Sequence, residues 1–264
     1  MRILDNEKTK IEILEKLKKN IAQCLYLAID LEVCGLNNSN VTFYYDDEME
    51  ELPTVIMMYY DTIQMYAPLK NDDLSKYVEF IKELKPIAIC ARKDIVERLE
   101  PYFEDYKAEY GIVISDNNYM EFKQFDMVRI ARLEDVDSIV ELMMATEEFS
   151  QNNTCDSLKK QLEERIRTGQ GRSFVIEEDG KIVAHTAIYA EIGDAAVESG
   201  LVVHELYKKK FYGMIIHEYI KKTLSQENRK LFGLRYNESL QNSAQAEKLS
   251  IESECGRLIK SREE

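Results

Sequence analysis

Residues 197–223 read VESGLVVHELYKKKFYGMIIHEYIKKT. An apolar run ending in Leu201, Val202 and Val203 has strand character. A short polar connection leads to Lys208, Lys209 and Lys210, then to Phe211, Tyr212 and Gly213. Met214, Ile215, Ile216, Tyr219 and Ile220 follow at helical spacing. A strand, a basic loop and a helix start suit an anion, because loop and first-turn N–H groups point at it and lysines add charge. The plainer reading is a surface corner with a solvated lysine run. The flanking sequence weighs between the two.

Upstream, Met127 opens a block that reads as strand, turn and a helix from about Asp135. A charged helix spans 156–168 and breaks at Gly169–Gly171. Ser173–Glu177, the turn Asp179-Gly180 and Lys181–Ala190 form a hairpin. Asp194 turns the chain into the strand Ala195–His204. After the helix at 213–224 come a strand at 231–236, a helix at 239–249 and a last strand near 257–260.

The first 120 residues repeat this order. One long amphipathic helix is expected over 7–31, closed by the turn residues Gly35–Asn40. Strands follow at 41–45, 54–59 and 63–67, the last two joined by a tight turn at Tyr60–Thr62. A helix over 71–84, capped by Asn71 or Asp72, a strand at 87–90, a helix at 94–103 and a strand at 110–114 complete the block. Residues 116–124 read as a linker. The expected fold class is α/β (α+β), with two lobes over 1–120 and 127–264.

Composition narrows the function. The chain has 264 residues, 45% of them hydrophobic and 32% charged, with a net charge of −14. That charge disfavours a nucleic-acid binder and fits a cytosolic protein. No apolar run approaches the length needed to cross a bilayer, and the N-terminus does not read as a signal peptide. The five cysteines are scattered, and the three histidines lie away from ligand spacing with them, so neither a disulfide framework nor a metal site is expected.

On three segments the second block resembles the GNAT acyltransferases. MVRIARLEDVDSIVELM is similar to the opening strand and helix, SFVIEEDGKIVAHTAIY to the central hairpin, and LVVHELYKKKFYGMIIHEYI to the acyl-CoA signature. The first block then looks like a degenerate second GNAT-like half. The fold implied is a pair of lobes, each a mixed, mostly antiparallel sheet flanked by helices.

Acetyl-CoA or another acyl-CoA is the implied co-substrate, and a small-molecule or peptide amine the implied acceptor. Pyrophosphate would meet the loop N–H groups at the helix start. Lys208 falls on the Arg/Gln position, Lys209 and Lys210 on variable places, Phe211 on the first glycine and Gly213 on the second. Tyr212 and Met214 flank Gly213, and Leu201, Val202 and Val203 line the pantetheine strand. Phe211 departs from the pattern; its other reading is a core anchor beneath the loop. Glu198 is the candidate general base that frees the attacking amine, and its other reading is an exposed strand carboxylate. Glu191, Tyr212 and His204 are further candidates, and the other reading of His204 is a cap at the end of its strand. The tyrosine that many members use as general acid falls on Ala246 or, in a shifted alignment, on Leu249, with Ser250 and Ile251 on the usual Gly-Phe. The implied activity is N-acyl transfer by direct attack. The alternative is a catalytically degenerate protein that senses coenzyme A or binds other proteins.

Overall fold

The computed structural model describes residues 1–38, 40–46, 53–68, 73–116, 118–150, 154–169, 171–236, 241–242 and 249–261. They form two compact units, Met1–Ser115 with Leu234–Glu264, and Asp116–Gly233. The boundaries drawn from sequence differ, because they place the terminal strand with the second lobe.

In the first unit the elements are β1 (Arg2–Ile3), α1 (Glu7–Lys18), α2 (Ile21–Val33), β2 (Val41–Tyr45), β3 (Val55–Tyr59), β4 (Thr62–Tyr66), α3 (Val78–Leu84), β5 (Ala88–Arg92), α4 (Lys93–Leu99) and β6 (Tyr106–Asp116). The single helix expected over 7–31 is two. Asn6 caps α1 through the amides of Lys8 and Thr9. Asn20 leaves helical geometry and returns its amide to the Lys16 carbonyl, which ends α1 within an unbroken apolar spacing. The helix expected over 71–84 begins later, and Asp73 takes the Ser75 amide; the expected caps at 71–72 lie outside the described residues. The hairpin of β3 and β4 turns through Tyr60, which adopts a φ of 52°. From β2 to β4 the pairing is antiparallel, and β4 pairs parallel with β5. The last strand of the chain, β12 (Ser250–Lys260), lies antiparallel between β5 and β6. Leu258 and Ile89 bring this strand into the buried core with Ile56, Ile81 and Val96.

The second unit holds β7 (Val128–Ile130), α5 (Val136–Met144), α6 (Glu147–Ser150), α7 (Cys155–Thr168), β8 (Arg172–Glu178), β9 (Lys181–Ile192), β10 (Ala195–Val203), α8 (Tyr212–Gln226) and β11 (Lys230–Arg235). Thr154 caps α7, and Gly169 closes it at a φ of 70°. Asp179 and Gly180, both at positive φ, make the tight turn between β8 and β9. The strand order is β11-β10-β9-β8-β7, antiparallel except for the parallel pair β10 and β11. Alternation along the strands serves two cores. Phe174, Ile176, Ala184 and Ile188 meet Ile216 and Ile220 of α8. Val175 and Val202 meet Val136, Ile139 and Leu142 of α5 and Leu158 of α7 on the other face.

Both units share one peculiarity. In each, a parallel pair opens partway along. Between β4 and β5 the last paired residues are Gln64 and Cys90, and between β10 and β11 they are Val197 and Phe232. The two units therefore match in element order and in the point where neighbouring strands part. The helix expected over 239–249 falls largely outside the described residues, as does Ala246.

Candidate acyl-CoA site

The open edge of β10 begins at Glu198, the first residue beyond the last pair with β11. On its other side β10 pairs with β9 through two register shifts, between Val197 and Glu198 and between Ser199 and Val202. Gly200 supplies the second irregularity at a φ of 77°. Such bulges bend a strand and re-aim its side chains. Leu201 is consequently exposed and Val202 buried, while Val203 packs into the core on the α8 face. The three predicted pantetheine-strand residues thus lie on the open strand but point different ways.

After β10, residues Glu205–Lys210 form a short 3-10 helix. His204 caps its start, its Nδ1 accepting the Leu206 amide at 3.3 Å. The three lysines are not equivalent. Lys208 pairs with Glu205 at 2.5 Å, and Lys210 pairs with Glu178. Glu178 also accepts from the Tyr212 hydroxyl at 2.5 Å, and the Lys210 and Tyr212 hydrogen bonds together hold its carboxyl below the usual range. Lys209 has no ion-pair partner among the described residues.

Phe211 is 65% exposed, so it is not the core anchor expected as one of its readings. Its backbone instead keeps the left-handed geometry that a glycine supplies at this place, φ 61° and ψ 21°. A bulky residue there carries strain of about 1–2 kcal/mol. Phe211 starts α8 without a side-chain cap, and its carbonyl accepts the Ile215 amide at 3.0 Å. No side chain or loop carbonyl among the described residues takes the first-turn amides of Tyr212, Gly213 and Met214. Those amides with the α8 dipole form an anion-binding end. A Cβ on Gly213 would lie 3.3 Å from Cγ2 of Val203, so the second glycine lets α8 approach β10 closely. Met214, expected on the apolar side of the helix, is 39% exposed.

Beside the loop runs a groove of about 400 Å³, lined by Glu141 and Ala145 of α5, Lys181 and Val183 of β9, and His204 and Leu206. On the same face of β9, His185 is buried, and its Nδ1 lies 3.0 Å from the Gly200 carbonyl. Burial pushes its pKa down to about 4, which keeps the ring neutral and makes Nδ1–H the donor to that carbonyl.

Glu198 is not the exposed carboxylate of the plainer reading. Its side chain is 13% exposed. Oε1 accepts from Thr186 Oγ1 at 2.8 Å, and Oε2 lies 2.6 Å from Nδ1 of His217 on α8. His217 escapes the sequence reading, because its meaning depends on the register of Glu198; its one signal is the four-residue step from Gly213. Glu191, the other carboxylate considered, is held by Arg172 and Arg229. Leu249 packs against Ile112 and Ile114 and has no proton to give. Among the described residues no group of three or more His, Cys, Asp or Glu could hold a metal.

In the first unit the corresponding strand opening is filled. Arg92 is 8% exposed; its guanidinium donates to the Ala67 carbonyl at 3.3 Å, to Gln23 at 2.9 Å and to Asp94 at 2.8 Å. Only about 40 Å³ remains beside it, among Gln64, Cys90 and Cys24. The two openings share a backbone but not a content.

This architecture defines a tandem GNAT fold. No family model matches the sequence, and no curated protein matches it significantly. Solved structures do. A GNAT-family acetyltransferase from Colwellia psychrerythraea superposes with a TM-score of 0.64 over 98% of this chain and 99% of its own, at 10% identity. A tandem GNAT protein from the clavulanic acid biosynthesis pathway gives 0.58 over 100% and 99%, also at 10% identity. A Drosophila protein gives 0.68 over 98% of both chains at 11% identity. The likeness is one of fold, and it spans both units. Among the described residues no helix is long and apolar enough to cross a membrane.

Proposed function

We propose that the protein is an acyl-CoA-dependent N-acyltransferase, with acetyl-CoA the expected donor and a small-molecule or peptide amine the acceptor. The observation that carries this reading is the left-handed turn at Phe211 opening directly onto α8, whose first-turn amides have no capping partner among the described residues. The residues present fit the co-substrate. Amides of Tyr212, Gly213 and Met214 with Lys209 would hold the pyrophosphate, and the open edge of β10 along Leu201–Val203 would take the pantetheine arm. Lys208 and Lys210 would contribute by exchanging their carboxylate partners for phosphate.

Chemically, the chain has to free the amine lone pair and polarise the thioester carbonyl. A backbone N–H of β10 can do the second. The Glu198–His217 pair supplies a proton acceptor at the open edge. Transfer would be direct: the amine attacks, the tetrahedral centre collapses and the thiolate leaves. A thiolate is a fair leaving group near neutral pH, so the lack of a tyrosine at Ala246 or Leu249 slows the reaction without stopping it. The acidic charge and five free cysteines fit a cytosolic setting.

The exposed Phe211 and the ion-paired Lys210 favour a second reading, a GNAT-like module that senses coenzyme A without turnover. One experiment separates the two. The protein is incubated with acetyl-CoA and a panel of amines while thiol release is followed. Release with any amine establishes the transferase; a melting shift with coenzyme A and no release leaves the sensor.

A further inference from the structure

Both oxygens of Glu198 are engaged inside the unit, Oε1 by Thr186 and Oε2 by His217. The carboxylate is 13% exposed, whereas the imidazole is 30% exposed. Nδ1 of His217 faces the carboxylate, and the other ring nitrogen, Nε2, has no partner among the described residues. Gly213 and His217 are one helical step apart on α8, and both abut β10, Gly213 at Val203 and His217 at Glu198. This row borders β10 where its pairing with β11 has ended.

We propose that His217, and not Glu198, is the base that takes the acceptor's proton, and that Glu198 is its positioning residue. The inference rests on the acyltransferase reading. Glu198 accepts Nδ1–H, which fixes the tautomer and leaves the Nε2 lone pair free; Thr186 holds the carboxylate in place. This is the logic of a carboxylate–histidine pair that orients an imidazole and steadies its charged form. In the reaction the amine nitrogen bonds to the thioester carbon while its N–H bond breaks. The proton goes to Nε2, giving an imidazolium beside the Glu198 carboxylate. The C–S bond breaks with its electron pair on sulfur, and His217 returns the proton to water or to the thiolate.

Other charges around the ring are consistent with this role. Lys221 on the next turn is neutralised by Asp116 at 2.6 Å and by Glu218 at 2.9 Å. Burial and Lys221 work against a charge on His217, but the Glu198 hydrogen bond and charge, with Glu218, outweigh them and hold its pKa above that of an ordinary imidazole. An imidazole is suited as base to an amine that must be deprotonated near neutral pH.

The test follows coenzyme A release from acetyl-CoA between pH 5.5 and 9, with 2-phenylethylamine, putrescine and lysine methyl ester as amine probes. In the wild type kcat/KM should rise with pH as His217 loses its proton. His217→Gln should lower kcat by about 10²-fold or more and abolish that limb, while acetyl-CoA still binds by calorimetry. Glu198→Gln should move the limb to lower pH, because the charge that favours imidazolium is gone; a structural role for Glu198 would lower the rate without moving it. Proton NMR of the three histidines gives a reading independent of turnover: the resonance lost in His217→Gln should titrate above an ordinary imidazole in the wild type and lower in Glu198→Gln. An unchanged limb in His217→Gln overturns the assignment of the base. An unmoved limb and an unmoved resonance in Glu198→Gln overturn the pairing. No release with any probe in the wild type, despite binding, overturns the acyltransferase reading and this assignment with it.

Discussion

Gly213 and Val203 hold the first turn of α8 against the end of β10: a Cβ on the glycine would come within 3.3 Å of the valine Cγ2. An added methyl can be absorbed by a small shift of Val203, but an indole cannot. Gly213→Trp should therefore displace the helix start and abolish any rise in melting temperature on adding acetyl-CoA. Gly213→Ala should keep most of that rise. Differential scanning fluorimetry with and without acetyl-CoA checks both.

Phe211 carries a positive φ with an exposed ring. Phe211→Gly gives up little burial and relieves the left-handed strain, against a smaller entropic cost in the unfolded chain. Stability should rise by about 1 kcal/mol, read as a higher urea midpoint at unchanged slope. A lower midpoint would show that the ring contributes packing.

His185 gives the second unit a pH dependence of known sign. Its native pKa is about 4 against 6.5 in the unfolded chain. Between those values the unfolded chain takes up the proton first, so stability falls as pH drops through this window. The loss from this group is on the order of 3 kcal/mol. His185→Gln, whatever its uniform cost, should flatten the difference between urea midpoints at pH 4 and pH 7.

Arg92 fills the strand opening of the first unit. Arg92→Ala should destabilise the protein by about 2 kcal/mol, because the Ala67 carbonyl, Gln23 and Asp94 lose a charged donor. It should leave acetyl-CoA affinity unchanged, and the wild type should bind one equivalent per chain. Calorimetric stoichiometry checks this, and two equivalents would contradict it.

Local patterns carried much of the fold. The strands expected at 41–45, 54–59 and 63–67 and the hairpin at Asp179-Gly180 form within about one residue of where β-branched and apolar runs and turn chemistry put them. The break at Asn20 was hidden because apolar spacing continues across it, while the helix end is marked by the backbone geometry of Asn20 and by its side-chain hydrogen bond to Lys16. The pairing of β12 with β5 and β6 was illegible for another reason, since it joins residues more than a hundred positions apart and leaves no local trace. At the site, the loop and Gly213 were readable from the signature. The conformation of Phe211 was not, because residue type argues against it. The partner of Glu198 was not either, because two register shifts decide which way that carboxylate faces.

Every step proposed above depends on acyl-CoA binding by β10, the loop and the start of α8. Isothermal titration of acetyl-CoA into the wild type and Gly213→Trp, with melting curves of both alone and with ligand, tests it most directly. Saturable binding at one site in the wild type is expected, with a melting shift that the variant loses. No heat and no melting shift in the wild type at millimolar acetyl-CoA would contradict it.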